Sequence, residues 1–298
     1  MPTLEEERDD ATVGSHFMST TIRTITTLCE DTIWGEAPRR HGGALWSSDT
    51  QAGQLLTVSE TGVTRTALAE PTNGIWFLPD GRLAAARWHG RRIDVLEDGE
   101  PAPYADLADL VRGAVGDMSG TADGRLYLDD MGENPHSGEP VGRVLVIDPD
   151  GSARVAAEGL RFPNGIAVLG DTLVVAETHA TRLTAFDIES DGTLTHPRTW
   201  VDLAGLLGEN HRPDGIWPVP DGSIWVATTA GEEFVRVDGS RVLDRIRTPG
   251  EFAIACCLDG SSLYLSVSRS TDPALDLLSE ALPQKKVRGR IARVDVST

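Results

Sequence analysis

Short apolar strands alternate with polar turns along almost the whole chain, and the alternation is itself periodic. Six times a phrase of one kind recurs: a turn-forming polar residue or glycine, a few apolar residues, an Asp-Gly or Gly-Gly turn, then an alternating strand. The copies run from Glu36-Ala37-Pro38 to Gly42-Gly43-Ala44-Leu45-Trp46, from Asn73-Gly74-Ile75 to Asp80-Gly81-Arg82-Leu83, and from Gly116-Asp117-Met118 to Asp123-Gly124-Arg125-Leu126. Three more follow, at Asn164-Gly165-Ile166 to Gly170-Asp171-Thr172-Leu173, Asp214-Gly215-Ile216 to Asp221-Gly222-Ser223-Ile224, and Phe252-Ala253-Ile254 to Asp259-Gly260-Ser261-Ser262-Leu263. Their starts lie roughly 40 to 50 residues apart, the length of one four-stranded propeller blade. The pattern predicts an all-β, six-bladed β-propeller.

Individual strand signals agree. Arg143–Ile147, Thr172–Ala176, Ser223–Ala227, Ser262–Ser266 and Arg290–Val294 are short β-branched or aromatic runs bounded by Gly, Asp or Pro. Helical pattern is confined to Ala105–Val111 and Pro273–Ala281. A propeller ring must be closed or it exposes unpaired strand edges, and the segments Thr21–Thr27 and Arg290–Val296 are the natural closing pair. One domain over residues 20–298 is expected, preceded by a disordered tail over 1–19 that carries Glu5-Glu6-Glu7 and Asp9-Asp10.

Charge narrows the partners. A net charge of −19 disfavours nucleic acid and anionic membranes, whose binding rests on neutralising phosphates, and favours cations. No run of about 18 apolar residues marks a membrane span. The three cysteines, Cys29, Cys256 and Cys257, have no metal-type spacing, and neighbouring cysteines pair poorly. That usage predicts a reduced, cytoplasmic setting. A small-molecule substrate is the expected partner; oligomeric state is not readable.

In a propeller the inner strands border a central channel, so Glu36, Asn73, Gly116, Asn164 and Asp214, far apart in sequence, can converge. Glu36, Asn164 and Asp214 bear oxygen donors at equivalent positions, as a hard divalent cation requires. Asn-Gly and Asp-Gly are also common turn formers, so each alone reads as a turn, and only the three together point to ligands. His89 and His179 follow the inner strands of their blades, where an imidazole can orient substrate or move a proton. Trp88, Met131, Phe162 and Trp217 are candidates for apolar pocket wall or for packing between blades. The run Asp129–Asn134 reads as a solvated acidic turn.

Gly35-Glu36-Ala37-Pro38-Arg39, Phe162-Pro163-Asn164-Gly165-Ile166, Val174–Thr178 with Arg182–Asp187, and Arg212-Pro213-Asp214-Gly215-Ile216 together resemble the family of senescence marker protein, gluconolactonase and luciferin-regenerating enzyme. The resemblance runs from about Ile22 to Val296. It implies a six-bladed propeller with a metal at the channel mouth, most often Ca2+, otherwise Zn2+, Mn2+ or Mg2+, held by Glu36, Asn164 and Asp214. It also implies lactone hydrolysis, with Asp214 assisting deprotonation of water. Asn73, Trp88, His89, Asp117, Met131 and His179 are then the expected substrate-binding residues. One position departs from the resemblance: Gly116-Asp117 stands where many relatives have Asn-Asp. Either Asn73 reaches across to replace that amide or the site is enlarged there, or Asn73 merely makes its own turn. A cyclase or isomerase on the same propeller, and a non-catalytic ligand-binding propeller, are the rival readings.

Overall fold

The computed structural model describes residues 23–97 and 100–296. The expected acidic tail lies outside them. Six four-stranded antiparallel sheets form the ring, in sequence order 35–67, 72–106, 115–160, 163–202 and 213–247, with the sixth built from 252–295 and the early strand Thr26–Thr32. Blades are numbered in that order. Thr26–Thr32 pairs antiparallel with Val287–Asp295 and closes the ring, so the closing strand starts several residues later than the apolar pattern suggested. Its buried positions, Cys29 and Thr32, set that register.

Six apolar layers fill the gaps between neighbouring blades. Each central strand feeds two of them: Leu173 and Val175 face blade 3, whereas Val174 and Ala176 face blade 5. The same division holds for Val144 and Val146 against Leu145 and Ile147. Both faces of such strands are dry, which is why they read as continuous apolar runs rather than as polar alternation. Cys29 and Cys257 belong to the layer between blades 6 and 1, and Cys256 to the one between blades 5 and 6; all three are free thiols.

Of the two expected helices neither is an α-helix. Ala105 ends an outer strand, Glu100–Asp106, and Leu107–Val111 makes one turn bonded to the Leu107 carbonyl. Within 273–281 only a five-residue π-helical turn forms, Leu277–Ala281. A short α-helix occurs instead at Leu203–Leu207, capped by Asp202, whose carboxylate accepts from the Gly205 amide.

Buried carboxylates fasten the segments that lead into the inner strands. Asp49 accepts from the Ile33 and Trp34 amides, both at 2.9 Å, Asp130 from Arg112 and Gly113, and Glu177 from Arg161. These bonds hold the starts of the inner strands of blades 1, 3 and 4 at one face of the ring. Among the described residues no helix is long and apolar enough to cross a membrane.

Candidate functional site at the channel mouth

The five residues singled out at the repeat heads are each the second residue of an inner strand: Glu36 in Gly35–His41, Asn73 in Thr72–Phe77, Gly116 in Val115–Gly120, Asn164 in Pro163–Leu169 and Asp214 in Pro213–Pro218. Every one of these strands breaks register with its neighbour just there, as between Glu36 and Arg39 or Pro213 and Ile216. A bulge bends the strand and re-aims its side chains, here at the same level of the ring five times over.

The Asn-Gly and Asp-Gly pairs are therefore strand, not turn. Their glycines serve close approach between blades. A Cβ at Gly165 would stand 2.5 Å from the Asp214 carbonyl oxygen and the Ile216 nitrogen, and one at Gly74 would stand 2.7 Å from the Gly116 carbonyl oxygen.

Glu36, Asn164 and Asp214 do come together. Asn164 lies near enough to the Asp214 carboxyl to pull its pKa down, and the Asp214 charge pushes that of Glu36 up. Trp34 Nε1 donates to Glu36 Oε1 at 2.8 Å, which leaves Oε2 buried with no partner; Asp214 Oδ1 is likewise buried and unpartnered. Burial first, then repulsion by Asp214 and Asp117, pushes Glu36 well above the usual carboxylate range. Asp214 is pushed well up by burial and by Asp117, against the pull of bonds from Asn164 and the Gly215 amide. Buried acids that are desolvated and mutually repelling lack a positive charge. Two carboxylates and an amide form the oxygen-only donor set that suits a hard divalent cation. Among the described residues no three His, Cys, Asp or Glu side chains stand close enough to hold a metal ion without such an amide.

Asp117 is the third buried acid, raised by desolvation and held down by Arg39, and its Oδ1 also lacks a partner. Below the acids, Arg39 closes the channel. Its guanidinium donates to the Pro38 carbonyl at 2.9 Å and, across the ring, to that of Met118 at 2.8 Å. Its Cζ lies 5.0 Å from the Trp76 ring centroid and 5.1 Å from that of Trp217, rings contributed by opposite blades. A cavity of 540 Å³ at the opposite end is lined by Trp217, Pro218, Val219, Leu258 and Gly260, and none of the clustered acids borders it.

The position of the departure from the repeat has a steric cause. A Cβ at Gly116 would lie 2.6 Å from both carboxylate oxygens of Asp129. Asp129 is fully buried and accepts from the Gly116 and Asp117 amides, so no side chain fits at 116 while Asp129 is present.

A family model described as SMP-30/Gluconolactonase/LRE-like region matches residues 34–269. The chain belongs to that family. Among solved structures, a luciferin-regenerating enzyme superposes with a TM-score of 0.77 at 17% identity, covering 92% of this chain and 95% of the other. A gluconolactonase from Xanthomonas campestris gives 0.72 at 22% identity over 92% and 90%. A regucalcin from Agrobacterium tumefaciens, described as a calcium-binding protein, gives 0.72 at 19% over 91% and 96%. At these identities the likeness shows the six-bladed fold.

The other expected site residues are placed as follows. Asn73 is tied to blade 1: its Oδ1 accepts from Thr50 Oγ1 at 3.5 Å and its carbonyl from Ser48 Oγ at 2.5 Å. The space that a side chain at position 116 would take is filled from within blade 3, by Asp129. Trp88 is half-buried, its Nε1 unpartnered, and stacks on exposed His89 with centroids 4.6 Å apart. Met131 is half-buried beside Ala114, whose carbonyl accepts from its amide. His179 follows Thr178, whose hydroxyl bonds Asn164 Nδ2 at 3.4 Å and the Pro213 carbonyl at 2.7 Å, so it adjoins the metal-type donors.

Asp129 and Asp130 are fully buried, not a solvated turn. Their signal was present in the sequence, because both end an unbroken strand run, Leu126–Asp130. Arg39 and Trp34 were not singled out either. A cation three residues beyond Glu36 on an inner strand has to lie in or near the channel, whereas nothing local marks Trp34 as the Glu36 partner.

Proposed function

We propose that this chain is a divalent-cation-dependent hydrolase of lactones, with Ca2+ the first candidate and Zn2+, Mn2+ or Mg2+ the alternatives. The observation that carries the reading is the pair of buried, unpartnered oxygens, Glu36 Oε2 and Asp214 Oδ1, beside the Asn164 amide. Family membership, a gluconolactonase and a calcium-binding regucalcin of the same fold support it. Glu36, Asn164 and Asp214 would hold the cation, which when bound supplies Lewis acidity to a carbonyl oxygen and lowers the pKa of a water.

The chain's own groups do the rest. Trp34 fixes the Glu36 carboxyl so that one oxygen points free. Asn164 stands beside Asp214, whose carboxylate accepts the proton of the attacking water. The Arg39 plug keeps bulk water from entering from below, and Asp117 carries the negative charge that Arg39 balances. Three buried free cysteines fit a reducing, cytoplasmic setting, and the net charge of −19 fits a small-molecule substrate rather than nucleic acid or an anionic membrane.

The test is acid release from a lactone panel at constant pH with each cation in turn. Cation-dependent release that disappears in Asp214→Ala is the expected result. Retention of more than about a tenth of the rate would contradict the assignment, since such groups contribute about 10² or more. A biosynthetic cyclisation has no specific observation in its favour.

A further inference from the structure

Beside Asn164, three aromatic side chains from two blades pack together. Phe162 and His179 meet edge to face with centroids 4.7 Å apart, His136 and His179 at 5.6 Å, and His136 and Phe162 at 5.3 Å. Phe162 precedes Pro163-Asn164 directly, and its carbonyl accepts from the Thr178 amide at 3.0 Å while that of Arg161 accepts from His179. The group is thus fastened to the strand starts that carry Asn164 and Asp214. His136 comes from the blade 3 turn Pro135–Ser137 and is exposed; Phe162 and His179 are half-buried.

Phe162 also has φ of +54°, a left-handed conformation that is costly for a bulky side chain. Such strain concentrates at ligand sites, where the fold forces a side chain into one place. Burial first, then His136 and Arg212, lowers the His179 pKa. On blade 2, Trp88 stacks on His89 with ring centroids 4.6 Å apart. What this rim lacks is equally telling: at Gly116 no amide can be presented to a substrate hydroxyl, because Asp129 occupies the space.

We propose that Phe162, His179 and His136 form an aromatic subsite beside Asn164 that selects lactones bearing a flat, uncharged ring over polyhydroxylated ones. The proposal rests on the hydrolase reading only for the word lactone; the ring-binding subsite stands by itself. A ring lying against the trio gains edge and face contacts worth about three- to tenfold in affinity per aromatic partner.

Two measurements on the full chain with Ca2+ test it. In the first, kcat/KM for dihydrocoumarin exceeds that for glucono-δ-lactone by about tenfold, and the ratio falls about fivefold in Phe162→Leu, which keeps bulk but loses the ring. In the second, calorimetry with coumarin, a lactone that resists hydrolysis, gives a Kd weakened about fivefold in Phe162→Leu and about threefold in His136→Ala, the exposed site where folding is not at stake. A preference for the aldonolactone, absence of coumarin binding, or coumarin binding unchanged in both variants overturns the subsite. Coumarin binding that weakens in both variants, in a protein that hydrolyses no lactone with any cation, supports the subsite and removes the hydrolase reading instead.

Discussion

Placing an amide side chain at position 116 should damage this protein, and the packing around Gly116 sets the size of the effect. In Gly116→Asn the new Cβ falls 2.6 Å from both Asp129 oxygens, where ordinary contacts begin near 3.4 Å. Asp129 has no free space to retreat into, being fully buried and bonded to the Gly116 and Asp117 amides. Overpacking of this kind costs about 1–3 kcal/mol, and displacing Asp129 instead forfeits hydrogen bonds worth about 1 kcal/mol each and leaves its carboxyl unsatisfied. The expected loss is about 2–4 kcal/mol, or a fall in Tm of roughly 3 to 7 °C. Gly116→Ala, which introduces the same Cβ, should show most of the effect. Adding Asp129→Gly to Gly116→Asn should return at least about 1 kcal/mol relative to the sum of the single changes. Urea melts followed by circular dichroism measure all four proteins. A Gly116→Asn variant within about 0.5 kcal/mol of the parent, or strict additivity with Asp129→Gly, refutes the steric account.

Other consequences are more direct. Because the folded pKa of Asp214 is raised, its contribution to stability is fully present below its unfolded value of about 3.9 and is lost as pH rises through the folded value. Without divalent cations, Asp214→Asn should therefore melt higher than the parent at pH 8 and equal to it near pH 4; a parent that is the more stable at pH 8 contradicts this sign. Arg39→Met removes the bonds to the Pro38 and Met118 carbonyls and should cost about 2–4 kcal/mol in denaturant melts, with Arg39→Lys recovering little because the planar fork spans two blades. Gly165→Ala places a Cβ 2.5 Å from backbone of the Asp214 strand and should lower stability by about 1–3 kcal/mol; cation affinity measured by calorimetry should fall with it.

The ring was legible because each blade repeats one phrase, and a phrase that recurs with fixed phase carries its own alignment. The same phase put Glu36, Asn164 and Asp214 at one level before any coordinates, since each is the second residue of an inner strand. What the letters hid are contacts between blades. Arg39 donating to the Met118 carbonyl and His136 packing on Phe162 join residues whose separation in sequence carries no signal. Local propensity also misled where tertiary pairing decided. Ala105 has a helix-friendly neighbourhood, yet it completes the outer strand of blade 2 against Ile93. Asp-Gly at 214 and 215 reads as a turn, yet that glycine exists to let the strand of blade 6 pass, its would-be Cβ lying 2.8 Å from Ala255.

Calorimetric titration of chelator-treated protein with Ca2+, Zn2+, Mn2+ and Mg2+ tests the convergence of Glu36, Asn164 and Asp214 most directly. One cation per chain, bound with affinity reduced about tenfold or more in each of Glu36→Gln, Asn164→Ala and Asp214→Asn, is the predicted result. Binding that survives in the triple variant, or a parent that takes up none of the four ions, would contradict it.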